Sequence, residues 1–415
     1  MNFRYCRICA VGYVFFTSEK SSDMKSELRT MILLPFEEFE EWIQKIAENR
    51  LRELRKGQFI YNMAYTEFPD QVDLLGYCGL DCFHNDMMIH PFLMELSKMN
   101  SLISLISNRF MEVFSDYGLK ATILKVNISY QVYSFELKIE KRTSRRKIIE
   151  VAYSLNEKHL KWNRGIRVDF SGSNPTFEVG VTPLPYQIRT RNIFYEPDFK
   201  SQMPIVLGLQ TIDGKALQFD LSESGNILIG GATKQGKSTC IKNMIYCLER
   251  CESKPDIILF DPKKYEFDDF KDKYKVCYGA AQLDRLAVST VIARMNQKDI
   301  CRFPPLVIII DGYTDLFQDK VCSIKEMIRS SRITQIAQWG PMVNVHLIIS
   351  TNRTERIFFP PELTDNIKTR ISFRTISVLD SKQIIGTPGA ESLLGYGDGL
   401  YACSGQLTRF QGTIG

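Results

Sequence analysis

Asn226-Ile-Leu-Ile-Gly-Gly-Ala-Thr-Lys-Gln-Gly-Lys-Ser-Thr239 sets the architecture of the C-terminal half of the chain. Within it, Gly231-x-x-x-x-Gly236-Lys237-Ser238 matches the phosphate-binding-loop pattern without a gap. Asn226–Ile229 reads as a short buried strand. Cys240–Glu249 reads as a helix, with Ile241, Met244, Ile245 and Leu248 at helical spacing. The glycines let the backbone curl until successive N–H groups face one phosphate, and the helix N-terminus adds partial positive charge there. Lys237 is placed to reach the β- and γ-phosphates, and the Ser238 hydroxyl to ligate Mg²⁺. A Gly-rich turn could show the same letters, but it would not explain the strand before and the helix after. The expected nucleotide-binding set is Gly231, Ala232, Thr233, Lys234, Gln235, Gly236, Lys237, Ser238 and Thr239.

Working outward, the bulk properties bound the rest. At 415 residues, with 44% apolar and 24% charged side chains, the chain has room for two or three globular domains. A net charge of +5 permits a polyanionic partner without demanding one. The 11 cysteines show no repeated spacing and read as reduced thiols. No apolar run approaches the roughly 18 residues that span a bilayer. Ile8–Phe16 has signal-peptide length, but no small-residue cleavage site follows, so it reads as a buried strand. The expectation is a cytoplasmic protein without its own transmembrane segment, brought by a partner to the inner face of the membrane if it works there.

Residues 1–114 read as an N-terminal mixed module of unknown role. It holds a strand at Arg4–Thr17, an amphipathic helix from Phe36 to about Arg55, and a second helix near Pro91–Phe114. Cys6, Cys9, Cys78, Cys82 and His84 offer loose zinc-ligand spacing that fits ordinary buried thiols better. Residues 115–182 read as a small α+β domain: β-branched and aromatic residues alternate over Lys120–Ile139, a helix runs to about Lys161, and a strand follows at Thr176–Val181. The basic run Glu140–Lys147 reads as a solvated loop before it reads as a phosphate contact. Residues 183–202 look like a linker.

Residues 203–415 read as an α/β domain. Ile257–Phe260, Leu306–Ile310, Val345–Ser350 and Ile371–Arg374 are apolar strands separated by helical segments, as a mostly parallel sheet requires. Polar residues sit at the strand ends, where such sheets carry their chemistry: Asp261, Asp311 and Thr351-Asn352-Arg353. Asp311, after Val307-Ile-Ile-Ile, is the second metal-facing candidate, opposite Ser238.

These residues together resemble the FtsK/SpoIIIE family of ring-forming DNA-pumping ATPases. The resemblance rests on Phe260-Asp-Pro-Lys-Lys-Tyr-Glu-Phe267, Ile310-Asp-Gly-Tyr-Thr-Asp-Leu316 and Val345-His-Leu-Ile-Ile-Ser-Thr-Asn-Arg353. Asn366–Arg374, Asp380-Ser-Lys382 and Gly389–Asp398 follow in the family's order. It covers about 300 residues and is specific in the C-terminal half. It implies a RecA-like P-loop NTPase motor that binds ATP with Mg²⁺ held through Ser238 and Asp311. It further implies a homo-hexamer that threads double-stranded DNA, with ATP sites between subunits. Arg370 or Arg374 would then act on the neighbouring subunit's phosphates, although local ion pairing explains these arginines equally well.

Several positions depart from the family pattern. Gly312 stands where the family has the Glu that positions the attacking water, and loss of such a base costs about 10²–10⁴-fold in rate. Asp261 or Glu266 is the candidate substitute. Asn352 replaces a sensor Gln, Lys382 an Arg, and Pro341 a usual Arg. Lys234 takes a loop position that is usually Gly, which requires that position not to need positive φ. The expected catalytic set is Lys237, Asp311, Asn352, Arg370 and Arg374, with Asp261 added as the substitute its place at the strand end suggests. Three functions stay open: an ATP-dependent DNA translocase or coupling protein of a mobile element, with a relaxase or a membrane transfer channel as partner; a hydrolysis-deficient nucleotide-binding scaffold; and a protein-secretion ATPase.

Overall fold

The computed structural model describes residues 36–38, 40, 41, 45, 54–140, 143–160, 165–170, 172–193, 201–297, 303–317, 332–352 and 359–415. The expected strand at Arg4–Thr17, Cys6 and Cys9, and most of the expected helix from Phe36 to Arg55 lie outside them. The chain divides into two compact units, Met1–Phe194 with Thr211–Gly214, and Tyr195–Gln210 with Lys215–Gly415.

In the first unit, helices α1 (Lys56–Glu67), α2 (Pro69–Tyr77) and α3 (Ile89–Asp116) precede an antiparallel sheet. Its strands are β1 (Ala121–Ile128), β2 (Val132–Ile139), β3 (Ile166–Asp169) and β4 (Thr176–Gly180), in the order β1-β2-β4-β3. Pro69 opens α2, where its missing N–H costs nothing. Phe110 of α3 packs 5.1 Å from Phe135 and 5.2 Å from Phe177, ring centre to ring centre. Helix and sheet therefore share one core, and no boundary separates residues on either side of 114. Part of the expected linker is also packed down. Ile188 and Ile193 are buried, and the Asn192 side chain donates to the Tyr77 carbonyl at 3.0 Å. In the described part of the basic run, Ser144 caps helix α4 (Arg145–Ser154), with Arg145 and Arg146 exposed. Cys82 donates its thiol to the Gly57 carbonyl, and burial pushes the Cys78 thiol up to about 12. Such thiols are poor zinc ligands.

The second unit is built on a ten-stranded sheet, ordered β6-β5-β14-β13-β12-β7-β11-β10-β8-β9. Its parallel portion runs through β12 (Thr369–Phe373), β7 (Ile227–Gly230), β11 (Val345–Thr351), β10 (Leu306–Ile310), β8 (Asp256–Phe260) and β9 (Lys275–Cys277). β7, β10 and β11 are buried throughout, which is why β7 and β10 read as unbroken apolar runs and β11 as a mostly apolar one, with His346, Ser350 and Thr351 also buried. The expected strands are all present. The antiparallel edge was not anticipated: β13 (Asp398–Cys403), β14 (Gln406–Gly412), β5 (Pro204–Gln210) and β6 (Ala216–Asp220) extend the sheet beyond β12. Helices α5 (Lys237–Leu248), α6 (Arg332–Trp339) and α7 (Val378–Ile385) pack on it. The fold is α/β, with a mixed, mostly parallel sheet.

Two buried polar clusters fix this sheet. At its base, Asn226 donates to the carbonyls of Ala337 (2.7 Å) and Asn366 (3.1 Å) and accepts from the Leu347 N–H (3.0 Å). In the β13–β14 hairpin, Arg409 grips Asp398 with two hydrogen bonds, of 2.9 and 2.7 Å. Asp398 also accepts from the Leu394 N–H at 2.8 Å, so the pair holds the loop before β13. Both side chains are buried, and removing one partner would leave an uncompensated charge. Arg409→Met is expected to cost about 3–5 kcal/mol in urea unfolding, whereas a wild-type midpoint would show that the pair does not hold the hairpin.

Candidate nucleotide-binding site

The parallel strands end on one rim, and the site is built there. The loop Gly231–Gly236 leaves β7 and turns into α5. Two glycines have no substitute. Gly231 has φ +140, and a Cβ there would lie 3.1 Å from both the Phe373 side chain and its carbonyl oxygen. Gly236 has φ +117 and packs on the same phenyl ring. The Ala232 N–H donates to the Arg374 carbonyl at 2.8 Å, which ties the loop to the end of β12. No side chain caps the first turn of α5, so its N–H groups are free to face an anion.

Lys237 is folded back over the loop, its ammonium donating to the carbonyls of Gly231 and Ala232, both at 2.8 Å. Burial pushes its pKa down to about 8; Lys263 pushes the same way, while Asp311 and Glu266 oppose it. Lys237, Asp311, Lys263 and Glu266 thus share one electrostatic neighbourhood. Asp311 is buried at the end of β10, and its Oδ1 accepts from the Ser350 hydroxyl of β11. That hydroxyl also accepts from the Gly312 N–H at 2.9 Å. The other oxygen, Oδ2, is buried and meets no donor among the described residues. An orphaned buried carboxylate oxygen is costly by itself and fits a cation or its bound water. Ser238 is half-buried in the first turn of α5. The residues present therefore fit Mg²⁺-bound triphosphate. Ser350 carries no sequence signal, because a strand end Ile-Ile-Ser-Thr gives no hint of a partner on the next strand.

The remaining expected residues occupy different places. Asp261 is fully buried, and its oxygens accept from the N–H groups of Lys264 (2.9 Å), Glu266 (2.8 Å) and Phe267 (3.2 Å). It anchors the turn after β8, and that use of its lone pairs opposes the water-orienting role expected of it. Arg370 is committed to its own chain: it donates to the carbonyls of Ile367, Thr364 and Ile384. It pairs in register with Leu228, short of the rim. That is the local alternative weighed for it, with carbonyls in place of carboxylates. Arg374 lies at the rim with its side chain exposed, as does Asn352 after β11.

Two departures acquire a backbone explanation. Lys234 has φ +62, so the condition that this position avoid positive φ is not met. Gly312 has φ +86, and a Cβ there would lie 2.7 Å from Asp315 Oδ2 and 3.3 Å from Lys263 Cε. Lys263 and Asp315 form an ion pair at 3.6 Å beside it. A glutamate does not fit this backbone without strain.

A phosphate-binding loop between β7 and α5, with an orphaned Asp311 oxygen on the same rim, defines a P-loop NTPase of the α/β class. The FtsK/SpoIIIE family model matches residues 197–273. DNA translocase FtsK of Treponema pallidum is 30% identical over 241 residues, covering 51% of this chain and 29% of that protein. DNA translocase SftA of Bacillus subtilis is 28% identical over 343 residues, covering 72% of this chain and 34% of its own length. The chain thus spans well under half of either relative. Among solved structures, the pCW3 conjugation coupling protein TcpA with ATPγS is similar at 16% identity and a TM-score of 0.48, over 74% of this chain and 95% of that one.

The two left-handed positions give opposite expectations. Lys234→Gly should stabilise the fold by about 0.5–1 kcal/mol, while Gly312→Ala should destabilise it by about 1–2 kcal/mol. Denaturant melts of the two variants read the signs directly.

Proposed function

We propose that this chain is an ATP-dependent translocase or coupling protein for double-stranded DNA, working in a homo-hexameric ring in the transfer of a mobile element. The observation that carries the nucleotide part is the meeting of Lys237, the uncapped start of α5 and the orphaned Asp311 oxygen on one rim. The family match and the relatives' names support DNA as the cargo. ATP is the nucleotide, with Mg²⁺ held through Ser238 and Asp311; when bound, the ion would spread the charge developing between the β- and γ-phosphates. Lys237 would exchange its two loop carbonyls for phosphate oxygens. Ser350 would hold Asp311 in a single orientation. Arg374, exposed at the rim, is the candidate for acting on a neighbour's phosphates, and Asn352 for sensing the γ-phosphate. A relaxase or a membrane transfer channel is the proposed partner, at the inner face of the membrane. DNA would be held through its phosphates, so affinity should fall steeply with salt and show little sequence preference.

Gly312 favours a second reading, a scaffold that binds ATP in the ring without turning it over. Its backbone carries no side chain beside Asp311, and Asp261 is occupied elsewhere. Turnover with and without duplex DNA separates the two. Strong stimulation by DNA supports the translocase; binding without turnover supports the scaffold. Stimulation by a secreted peptide and indifference to DNA would instead mean a protein-secretion ATPase.

Two outcomes are expected of the site itself. Lys237→Ala should weaken ATP binding about 10- to 100-fold, the worth of charge-assisted hydrogen bonds; wild-type affinity would remove the nucleotide site. The second concerns protons. With Lys237 lowered to about 8 from 10.5, the unfolded chain holds a proton that the folded chain has lost between those values, so its contribution to stability rises with pH through that window. Polyphosphate restores the charge. ATP binding at pH 8.5 to 9 should therefore take up protons, visible as a dependence of calorimetric heat on buffer ionisation enthalpy, and Lys237→Ala should abolish that dependence.

A further inference from the structure

The loop before β13 contains three successive residues in the left-handed region, Gly395 (φ +80), Tyr396 (φ +53) and Gly397 (φ +87). Glycine adopts this conformation freely, but for a bulky residue such as tyrosine it is an outlier. Burial does not compensate, because Tyr396 is 77% exposed. The loop is not loose. Asp398 accepts from the Leu394 N–H at one end and is locked by Arg409, the Asp398 N–H donates to the Gly395 carbonyl at 3.0 Å, and Gln411 donates to the Tyr396 carbonyl at 2.9 Å. A rigid frame therefore holds an aromatic ring out in solvent at a position where glycine would be less strained. Strain of this kind, without a packing gain, points to a use for the side chain.

Its position suggests that use. The loop lies directly against the phosphate-binding loop. A Cβ on Gly236 would be 3.6 Å from the Gly397 Cα, and a Cβ on Gly395 would be 2.8 Å from Gln235 Oε1. Residues 395–397 thus wall the site at Gln235–Gly236, where a triphosphate would pass into the start of α5. A nucleoside attached to that triphosphate would have this wall, with the exposed Tyr396 on it, beside it.

We propose that Tyr396 stacks on the purine base of the bound nucleotide and supplies affinity that the phosphate-binding loop cannot. The proposal rests on the reading of Gly231–Ser238 as a nucleotide site. The frame fixes the backbone from which the ring projects, so no loop has to be ordered for the ring to bind. A stacked aromatic contact is sequence-tolerant among bases, and its removal typically weakens binding about 5- to 100-fold.

The test measures binding of ATP and of inorganic tripolyphosphate to the full chain and to Tyr396→Ala, Tyr396→Phe and Tyr396→Gly. Tyr396→Gly suits the left-handed backbone, so it folds at least as well as wild type, with a Tm raised by about 2–4 °C. The Ala and Gly variants are expected to bind ATP about 5- to 100-fold more weakly, with unchanged affinity for tripolyphosphate. Tyr396→Phe keeps the ring and should bind ATP as wild type does. Equal ATP affinity in the Ala and Gly variants overturns the proposal, and so does an equal loss of ATP and tripolyphosphate, which would make the loop a support for the phosphates. If wild type binds neither ligand, the nucleotide site itself falls, a failure distinguishable because it appears before any substitution.

Discussion

Phe373 and the two glycines that close on it form the constraint around which the second unit is arranged. The phosphate-binding loop has no room for a Cβ at Gly231 because the end of β12 lies directly beneath it. The Ala232 N–H is pinned to the same strand end. This contact sets how far the loop stands from the sheet. It therefore sets where Lys237 lies relative to Asp311 two strands away, since β11 alone separates β7 from β10. The rim chemistry is geometry inherited from strand order.

What could be read from the chain follows from how local each signal is. The phosphate-binding loop is contiguous, and the strands around it are buried on both faces, so each announces itself as an apolar run ending in a polar residue. Asp311 was legible for that reason. The antiparallel strands β5, β6, β13 and β14 were not: β6, β13 and β14 mix buried with partly exposed residues, and β5 finds its partner β14 up to 204 residues away, Gly208 against Gly412. Roles decided by hydrogen bonds to groups outside the strand were also invisible. Asp261 looks like a rim carboxylate, yet it serves three N–H groups of its own turn. Arg370 looks like a free cation, yet its guanidinium is shared among carbonyls. Ser350, which bridges Asp311 and Gly312, has no sequence signature at all.

Gly312 shows how one backbone angle can change the meaning of a substitution. As a letter it is a missing carboxylate. In the fold it is a left-handed turn residue beside the Asp315 and Lys263 side chains, so a carboxylate placed there would strain the backbone and displace that ion pair. Lys234 is the converse case: a side chain sits where the backbone suits glycine, and the strain falls on the phosphate-binding loop itself.

Asn226 joins what the sequence keeps far apart. Its one buried amide ties the start of β7 to the Ala337 carbonyl of α6, the Leu347 N–H of β11 and the Asn366 carbonyl before β12, which lie 111, 121 and 140 residues away. An apolar side chain of the same size would leave two carbonyls and an N–H without that partner at once, so assembly of the parallel strands and satisfaction of their backbone groups are one event at this position.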